Sequence, residues 1–191
     1  VGTRLDMLDE ATTIIRGLLT NERTTFQGKH YRVENASNVP APLQSRLPIW
    51  IGGLGEKKTL RLVAKHADGW NAAYISVDHF KHLGSVLDKW CEKQDRDPAT
   101  LKRSINLTFN MGTTDAQVKK EQESLHEAWG PLAAHIEGGA LLCTPTQAVD
   151  RITQYQDAGA DMVNIALRAP WQQEALDAYI EEVMPVLRQE G

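Results

Sequence analysis

The stretch IWIGGLGEKKTLRLVAKHADGWN, residues 49–71, joins a short apolar run to three glycines in four positions, two lysines and an amphipathic segment. Residues 48–51 have the composition of a fully buried strand. The amphipathic segment repeats its apolar residues at the spacing of one helix face: Leu60, Val63, Ala64 and Ala67. A strand that leads through a glycine loop into a helix begins a βα unit. We therefore predict an α/β fold with a parallel sheet.

The glycine loop, residues 52–55, has the composition of an anion site. Glycines permit positive φ and keep Cβ atoms away from the backbone amides. The following helix directs the positive end of its dipole to the same place, and Lys57, Lys58 and Thr59 supply charge and a hydroxyl. Taken alone, this pattern leaves two interpretations open: a phosphate site, or a tight turn with solvated lysines.

Two other glycine motifs fit this loop poorly. A dinucleotide fingerprint requires G-x-G-x-x-G, but no third glycine follows Gly53-Leu54-Gly55 at that spacing. A P-loop requires a glycine directly before Lys and Ser or Thr, whereas Lys57 precedes Lys58-Thr59. Neither a Rossmann site nor ATP hydrolysis is indicated.

The rest of the chain continues the alternation of strands and helices. We predict a first helix at 4–19 with a Thr3-x-x-Asp6 capping box, a hairpin of strands 24–26 and 30–33, and an irregular segment at 34–48. Further strands are predicted at 69–74, 105–111 and 162–167, the last of them buried. Further helices are predicted from about 76, with an apolar face from Phe80 to Trp90 and Cys91, and at 114–129, 145–157 and 175–187.

The predicted strands belong to one sheet. We expect the strands near Ile49, Trp70, Leu107 and Val163 to lie side by side, parallel and in chain order, because successive βα units place their strands next to each other. A (β/α)₈ barrel usually needs about 250 residues, and four strands do not close one. From these patterns the fold class is α/β, and the chain looks like half of a larger fold.

Composition excludes several kinds of partner. The 191 residues carry a net charge of −4, and the pI is near 5.9, so a nucleic-acid-binding surface is not expected. No apolar run approaches the roughly 20 residues that span a bilayer, and we find no charged leader, so we expect no membrane partner and a cytoplasmic location. Cys91 and Cys143 are interpreted as buried small side chains. His79 and His82 lack a third ligand, so no metal site is assigned.

Three segments together resemble a known family. They are residues 48–71, PIWIGGLGEKKTLRLVAKHADGWN; residues 4–36, RLDMLDEATTIIRGLLTNERTTFQGKHYRVENA; and residues 141–167, LLCTPTQAVDRITQYQDAGADMVNIAL. The chain is similar to the luciferase-like flavin and coenzyme F420 oxidoreductases, and most similar to the F420-dependent branch. The resemblance implies a TIM barrel, of which residues 1–191 are the C-terminal half: the fourth helix, an insertion at about 20–47, and strands five to eight.

The resemblance also implies a site and a cofactor. In the family the cofactor's phosphate rests on the loop after the fifth strand, and Asn71 falls on the pocket wall, with Trp70 assigned to packing. The implied cofactor-binding residues are Gly52, Gly53, Leu54, Gly55, Glu56, Lys57, Thr59 and Asn71. The cofactor is coenzyme F420, with FMN as the alternative. The family usually has glycine where this chain has Cys143, which we interpret as an inert buried thiol.

Two function classes follow from the resemblance. The first is an oxidoreductase or monooxygenase that passes a hydride to or from a small organic substrate, and that needs the N-terminal half. The second is a non-catalytic, truncated barrel that serves as a phosphate-binding or structural module. Because strands one to four supply most reactive groups in the family, no catalytic residue is assigned here. An apolar seam at the sheet edges predicts a homodimer or a contact with the missing half.

Overall fold

The computed structural model describes residues 2–189 and divides into two compact units. The first unit comprises residues 1–70 and 86–101, and the second comprises residues 71–85 and 102–191. The chain passes from one unit to the other three times: within the strand Gly69–Ala73, within the helix Val77–Glu92, and between Leu101 and Lys102.

The first unit contains a helix, a hairpin and the start of the sheet. Its elements are α1 (Gly2–Thr20), β1 (Thr24–Gln27), β2 (Arg32–Ala36), β3 (Trp50–Gly52), α2 (Thr59–His66), the start of β4 (Gly69–Ala73), the end of α3 (Val77–Glu92), and a 3-10 turn at Pro98–Thr100. Strands β1 and β2 pair antiparallel, with Gln27 opposite Arg32. The predicted first helix and hairpin are therefore confirmed. The predicted capping box is wrong, because α1 begins at Gly2 and Thr3 lies inside it.

The Glu10 carboxylate of helix α1 binds the turn of the hairpin. Glu10 accepts hydrogen bonds from the backbone amides of Lys29, His30 and Tyr31, at 2.8, 2.8 and 2.9 Å. Desolvation raises the pKa of Glu10, but the three amides outweigh it and lower the pKa below its usual value. The turn of the hairpin is thus fixed to α1 by backbone groups that no side-chain pattern reveals.

Asp68 joins three separate segments of the first unit. Its carboxylate accepts the Ile49 amide at 2.7 Å and the Arg46 Nε at 2.8 Å, and it pairs with the Arg16 guanidinium. The Asp68 amide in turn donates to the Ile49 carbonyl at 2.7 Å. Burial raises the pKa of Asp68, while the Ile49 amide and the two arginines lower it, and the lowering dominates. The entry to β3 is thereby fixed beside the entry to β4.

The second unit continues the alternation of strands and helices. Its further elements are β5 (Lys102–Phe109), α4 (Asp115–Trp129), a 3-10 turn (Gly130–Leu132), α5 (Ala133–Glu137), β6 (Ala140–Leu141), α6 (Pro145–Asp157), β7 (Met162–Ala166), α7 (Gln173–Ala178), a π-helical segment (Tyr179–Val183) and α8 (Met184–Gln189). Helix α6 begins as predicted, with Thr144 as N-cap and Pro145 at the first position. Gln147 completes a capping box there.

The sheet has the order β3-β4-β5-β6, and β7 also pairs with β5. Residues 104–108 of β5 lie parallel to residues 162–166 of β7, and Thr108 and Phe109 pair parallel with Ala140 and Leu141. Successive residues of a strand direct their hydrogen-bonding groups to opposite edges. The backbone of Asn106 forms a hydrogen bond on the side of β4, and the backbone of Thr108 forms one on the side of β6. The backbone of Arg103 forms its hydrogen bond on the side of β7. The expected neighbours in chain order are confirmed, with the two-residue β6 as an addition that the sequence did not indicate.

The predicted burial of two strands is wrong. In β3 only Ile51 is buried, while Trp50 is 40% exposed. In the predicted strand 162–167, Met162 and Leu167 are 49% and 45% exposed, and β7 itself ends at Ala166. Because alternate side chains of a strand face opposite sides, one face of β3 is left uncovered among the described residues.

Fully buried side chains form the core of the second unit. Phe80, Ile105, Leu107 and Tyr155 are fully buried, and the Tyr155 hydroxyl donates to the Ile75 carbonyl at 2.7 Å. A Cβ at Gly139 would lie 2.2 Å from the Tyr74 carbonyl carbon, so this close backbone approach requires glycine. Among residues 2–189, no helix has the length and apolar character needed to cross a membrane.

Asp68→Asn is expected to lower the free energy of unfolding by about 2 kcal/mol, because it removes a charge that two arginines and an amide share. The sign of its pH dependence follows from its pKa. The stabilisation is present above the usual pKa of 3.8 and is lost as the pH falls toward the lower folded pKa. Urea denaturation from neutral pH to about pH 3 measures both effects.

The matched control is Asp157→Asn, which changes an exposed aspartate at the end of α6. Its stability should stay within about 0.5 kcal/mol of the wild type. Equal stability of D68N and D157N would contradict the role given to Asp68.

Candidate functional site

Seven of the eight predicted site residues lie in one connection, between β3 and α2. Gly52 is the last residue of β3, residues 53–55 follow without regular structure, residues 56–58 form a turn, and Thr59 is the first residue of α2. The predicted strand–loop–helix arrangement around the glycine loop is therefore confirmed. The loop residues are half-buried or exposed, so a ligand can reach their backbone.

Two of the glycines pack around Thr59. Gly53 has φ +134°, a conformation that strains any residue with a Cβ. A Cβ at Gly53 would lie 2.9 Å from Thr59 Cγ2, and a Cβ at Gly55 would lie 2.8 Å from Thr59 Oγ1. The glycine loop is thus folded too closely over the start of α2 to accept side chains at either position.

A buried and a half-buried tryptophan each donate a hydrogen bond to one carbonyl of this connection. Trp70 Nε1 donates to the Gly53 carbonyl at 2.8 Å, and Trp90 Nε1 donates to the Glu56 carbonyl at 2.7 Å. Trp70 is fully buried, which confirms its predicted packing role. The periodicity of α3 places Trp90 on its apolar face but does not predict this contact, because a periodic pattern shows which face is buried and not where an indole N–H points.

The fixed carbonyls determine where the amides point. In a planar trans peptide the N–H is directed opposite to the C=O of the same unit. Because Trp70 and Trp90 hold the carbonyls of Gly53 and Glu56, the amides of Leu54 and Lys57 point away from the two indoles. The amides of Leu54, Gly55 and Lys57 have no acceptor among the described residues.

Two lysines and one glutamate, Glu56, lie in the turn beside these amides. Lys57 and Lys58 are exposed, and neither pairs with a carboxylate in the part of the chain that the structure describes. Helix α2 contributes the positive end of its dipole, and no side chain caps its first turn. Unpaired amides, two lysines and a helix N-terminus together suit a phosphate or another oxyanion.

Asn71, the eighth predicted residue, belongs to the second unit. It is half-buried on β4, and its Oδ1 accepts the Ser104 hydroxyl at 2.7 Å. Its amide nitrogen has no acceptor among residues 2–189 and stays available for a ligand. Contact between Asn71 and a cofactor remains a prediction.

The remaining candidates are two cysteines and two histidines. Cys143 is only 8% exposed, and burial raises the pKa of its thiol to about 12, against a smaller opposing effect of Arg151. The thiol is therefore protonated and inert near neutral pH, as predicted. Cys91 is fully buried. His79 and His82 lie on α3, and no cluster of three metal-ligating side chains occurs within residues 2–189.

The chain resembles known proteins over nearly its whole length. Residues 1–135 match the sequence model of the family described as luciferase-like monooxygenase. An F420-dependent glucose-6-phosphate dehydrogenase of Microbacterium testaceum (strain StLB037) is 26% identical over 212 residues, which cover 97% of this chain.

Solved structures agree with this assignment at the level of the fold. An F420-dependent secondary alcohol dehydrogenase in complex with an F420–acetone adduct superposes with a TM-score of 0.85 at 18% identity, over 98% of this chain and 63% of that one. EDTA monooxygenase from Chelativorans sp. BNC1 gives a TM-score of 0.75 at 18% identity, over 100% of this chain and 60% of that one. These likenesses confirm the predicted α/β fold of the luciferase-like TIM-barrel enzymes.

The relatives are longer than this chain. The match covers 61% of the Microbacterium testaceum dehydrogenase and 63% of the alcohol dehydrogenase. The chain therefore spans about three fifths of the length of these relatives.

Trp90→Phe tests the link between α3 and the loop. The substitution keeps an aromatic ring but removes the N–H that holds the Glu56 carbonyl, so we expect a loss of about 1 kcal/mol in the free energy of unfolding. Trp171→Phe is the matched control, since Trp171 is 40% exposed and its N–H lies 3.4 Å from Gln173 Oε1. Urea denaturation of both variants measures the change in the free energy of unfolding. Equal losses in the two variants would contradict a specific role for Trp90.

Proposed function

The chain belongs to the luciferase-like monooxygenase family, as its sequence predicted, and we propose that it carries the cofactor-phosphate site of an F420-dependent oxidoreductase. FMN is the alternative cofactor. The named relatives include F420-dependent dehydrogenases and a monooxygenase, and this range supports a redox cofactor with a phosphate group. We also retain the assignment of residues 1–191 to the C-terminal half of such a barrel, with an insertion at about 20–47.

The backbone around the glycine loop carries this proposal. A phosphate would accept hydrogen bonds from the amides of Leu54, Gly55 and Lys57, which have no acceptor among the described residues. Charge-assisted bonds of this kind are among the strongest in proteins. Glycines at 53 and 55 keep the approach clear, and Lys57 and Lys58 offset the negative charge of the ligand.

The protein's own groups would bind and orient in this site. When bound, the cofactor supplies the ring that accepts or donates a hydride. Trp70 and Trp90 hold the loop in one conformation, which limits the conformational entropy lost on binding. In the second unit, Asn71 separately has a side-chain amide donor on β4, and its contact with a cofactor stays a prediction from the family resemblance. The residues that act on the substrate, a small organic molecule, are not assigned.

A cofactor-binding module without turnover is the second candidate. The observation that favours it is local, since the amides that would hold a phosphate all lie in the connection between β3 and α2. Both candidates require the phosphate site, and only the oxidoreductase requires cofactor reduction or oxidation with an organic substrate.

We further propose that the chain associates with a second copy or with the N-terminal half of such a barrel. Strand β7 pairs only with β5 among the described residues, and Met162 beside this edge is 49% exposed. Unpaired edges and apolar side chains favour association. Light scattering at micromolar concentration is expected to give a mass near twice 21.3 kDa for the chain alone. A monodisperse monomer would contradict the homodimer.

Gly53→Ala is the test of the phosphate site. A Cβ at Gly53 is strained by its φ of +134° and meets Thr59 Cγ2 at 2.9 Å, so the loop must shift and its amides lose their alignment. We expect F420 affinity to fall by at least about tenfold, the loss of one charge-assisted bond. Titration of F420 fluorescence, repeated with FMN as competitor, measures the affinity and ranks the two cofactors.

Gly130→Ala provides the control for backbone strain. Gly130 also has positive φ, at +50°, but a Cβ there would meet no atom within 4 Å. G130A should therefore lose stability through backbone strain alone and keep its F420 affinity. Unchanged affinity in a folded G53A variant would mean that the loop is only a turn.

A further inference from the structure

A cavity of about 330 Å³ lies in the second unit at the carboxyl ends of two parallel strands. Thr108 and Phe109 at the end of β5 and Ala166 at the end of β7 form one side, and residues of α4 form another. In parallel α/β folds this end of the strands is where ligands bind. Arg168, two residues after β7, also lines the cavity.

The guanidinium of Arg168 is stacked against two aromatic rings. Its central carbon lies 4.9 Å from the centre of the Trp129 ring and 5.8 Å from that of Tyr74. One of its nitrogens donates to the Tyr74 hydroxyl at 3.3 Å. The two rings are 6.1 Å apart and inclined at 54°. The side chain is thus held in a defined plane although it is solvent-accessible.

Arg168 has no anionic partner in the described part of the chain. None of the carboxylates in residues 2–189 lies within ion-pair distance, and the Tyr74 hydroxyl is its one hydrogen-bond acceptor. A guanidinium has five N–H donors, so most of them are unused. A cation that is oriented by stacking but not neutralised is suited to bind an anion, because the ordering of its long side chain has already taken place.

The same cavity presents an acceptor. Glu121 on α4 is only 9% exposed, and its single hydrogen-bond partner among residues 2–189 is the Gln172 side-chain amide at 3.3 Å. A buried carboxylate with one long neutral contact has free acceptor capacity. A ligand that carries a hydroxyl or N–H group could use it.

We propose that Arg168 binds the oxyanion of a small ligand, a carboxylate or a phosphate, and that Glu121 accepts a hydrogen bond from a hydroxyl or N–H of the same molecule. The planar fork of arginine matches two oxygens of either group. Taking this ligand to be the substrate of the oxidoreductase rests on the proposed function, whereas anion binding by Arg168 does not.

The test is a titration of the chain with inorganic phosphate and, separately, with acetate, at constant ionic strength set by sodium chloride. The reporter is the indole N–H signal of Trp129 in two-dimensional NMR, because this ring lies against the guanidinium. We expect a saturable shift in the wild type. Arg168→Gln should weaken the apparent affinity by at least about tenfold, the loss of a charged hydrogen-bond donor.

Arg188→Gln is the matched control. It removes the same charge from an exposed position on α8, outside the cavity, and should leave the affinity unchanged. A saturable shift with acetate alone indicates a carboxylate ligand, one with phosphate alone indicates a phosphate ester, and both results support the site. An equal affinity in R168Q and wild type, or a wild-type shift that chloride alone reproduces, would overturn it.

Arg168→Lys is the second variant, for use if the melting temperature of R168Q is well below that of the wild type. Lysine keeps the charge but lacks the planar fork, so the affinity for acetate should still fall, and unchanged affinity would overturn a role for the fork. The two proposals fail separately. A wild-type chain that binds F420 but shows no saturable anion shift rejects the Arg168 site alone, and a wild-type chain that shows the anion shift but does not bind F420 rejects the phosphate loop alone.

Discussion

The carboxylate of Asp68 accepts the Ile49 amide and pairs with two arginines from distant parts of the first unit. Two residues later, Trp70 donates to the Gly53 carbonyl. These two contacts hold β3 at both ends against the beginning of β4. A strand of three residues has few ladder hydrogen bonds of its own, so its position depends on these end contacts. Because the glycine loop starts where β3 ends, its location follows from the same carboxylate.

The two indoles also determine whether the connection between β3 and α2 presents amides or carbonyls to an outside partner. By accepting hydrogen bonds from Trp70 and Trp90, the carbonyls of Gly53 and Glu56 are turned inward, and the neighbouring amides are left for an outside partner. A loop of similar composition without these donors could present carbonyls as readily as amides, and would then repel a phosphate. The glycines make the conformation possible, and the tryptophans select it.

Local patterns were enough to locate most elements of this fold. Thr144-Pro145 marked the start of α6, and the glycine loop marked the boundary between β3 and α2, because caps and glycines act on the backbone within a few residues. Contacts between residues far apart in the sequence were not predictable in this way. The bonds of Glu10 to the hairpin, the convergence of arginines on Asp68 and the stacking of Arg168 on Trp129 each join segments that no short pattern relates. The exposure of Met162 and Trp50 depends on what covers a sheet face, which a strand's own residues do not determine.

The π-helical segment at 179–183 keeps the inward side chains of the last helix on one side of that helix. The inward residues Ala175, Tyr179, Val183 and Leu187 recur every fourth position, and in an α-helix each such step advances the side chains by about 40° beyond a full turn. Over three steps Leu187 would rotate away from the buried line. The wider π turn subtracts part of that rotation. Pro185, the second residue of α8, cannot donate a backbone hydrogen bond. The carbonyl that would accept this bond in an α-helix is that of Glu181, which lies inside the π-helical segment.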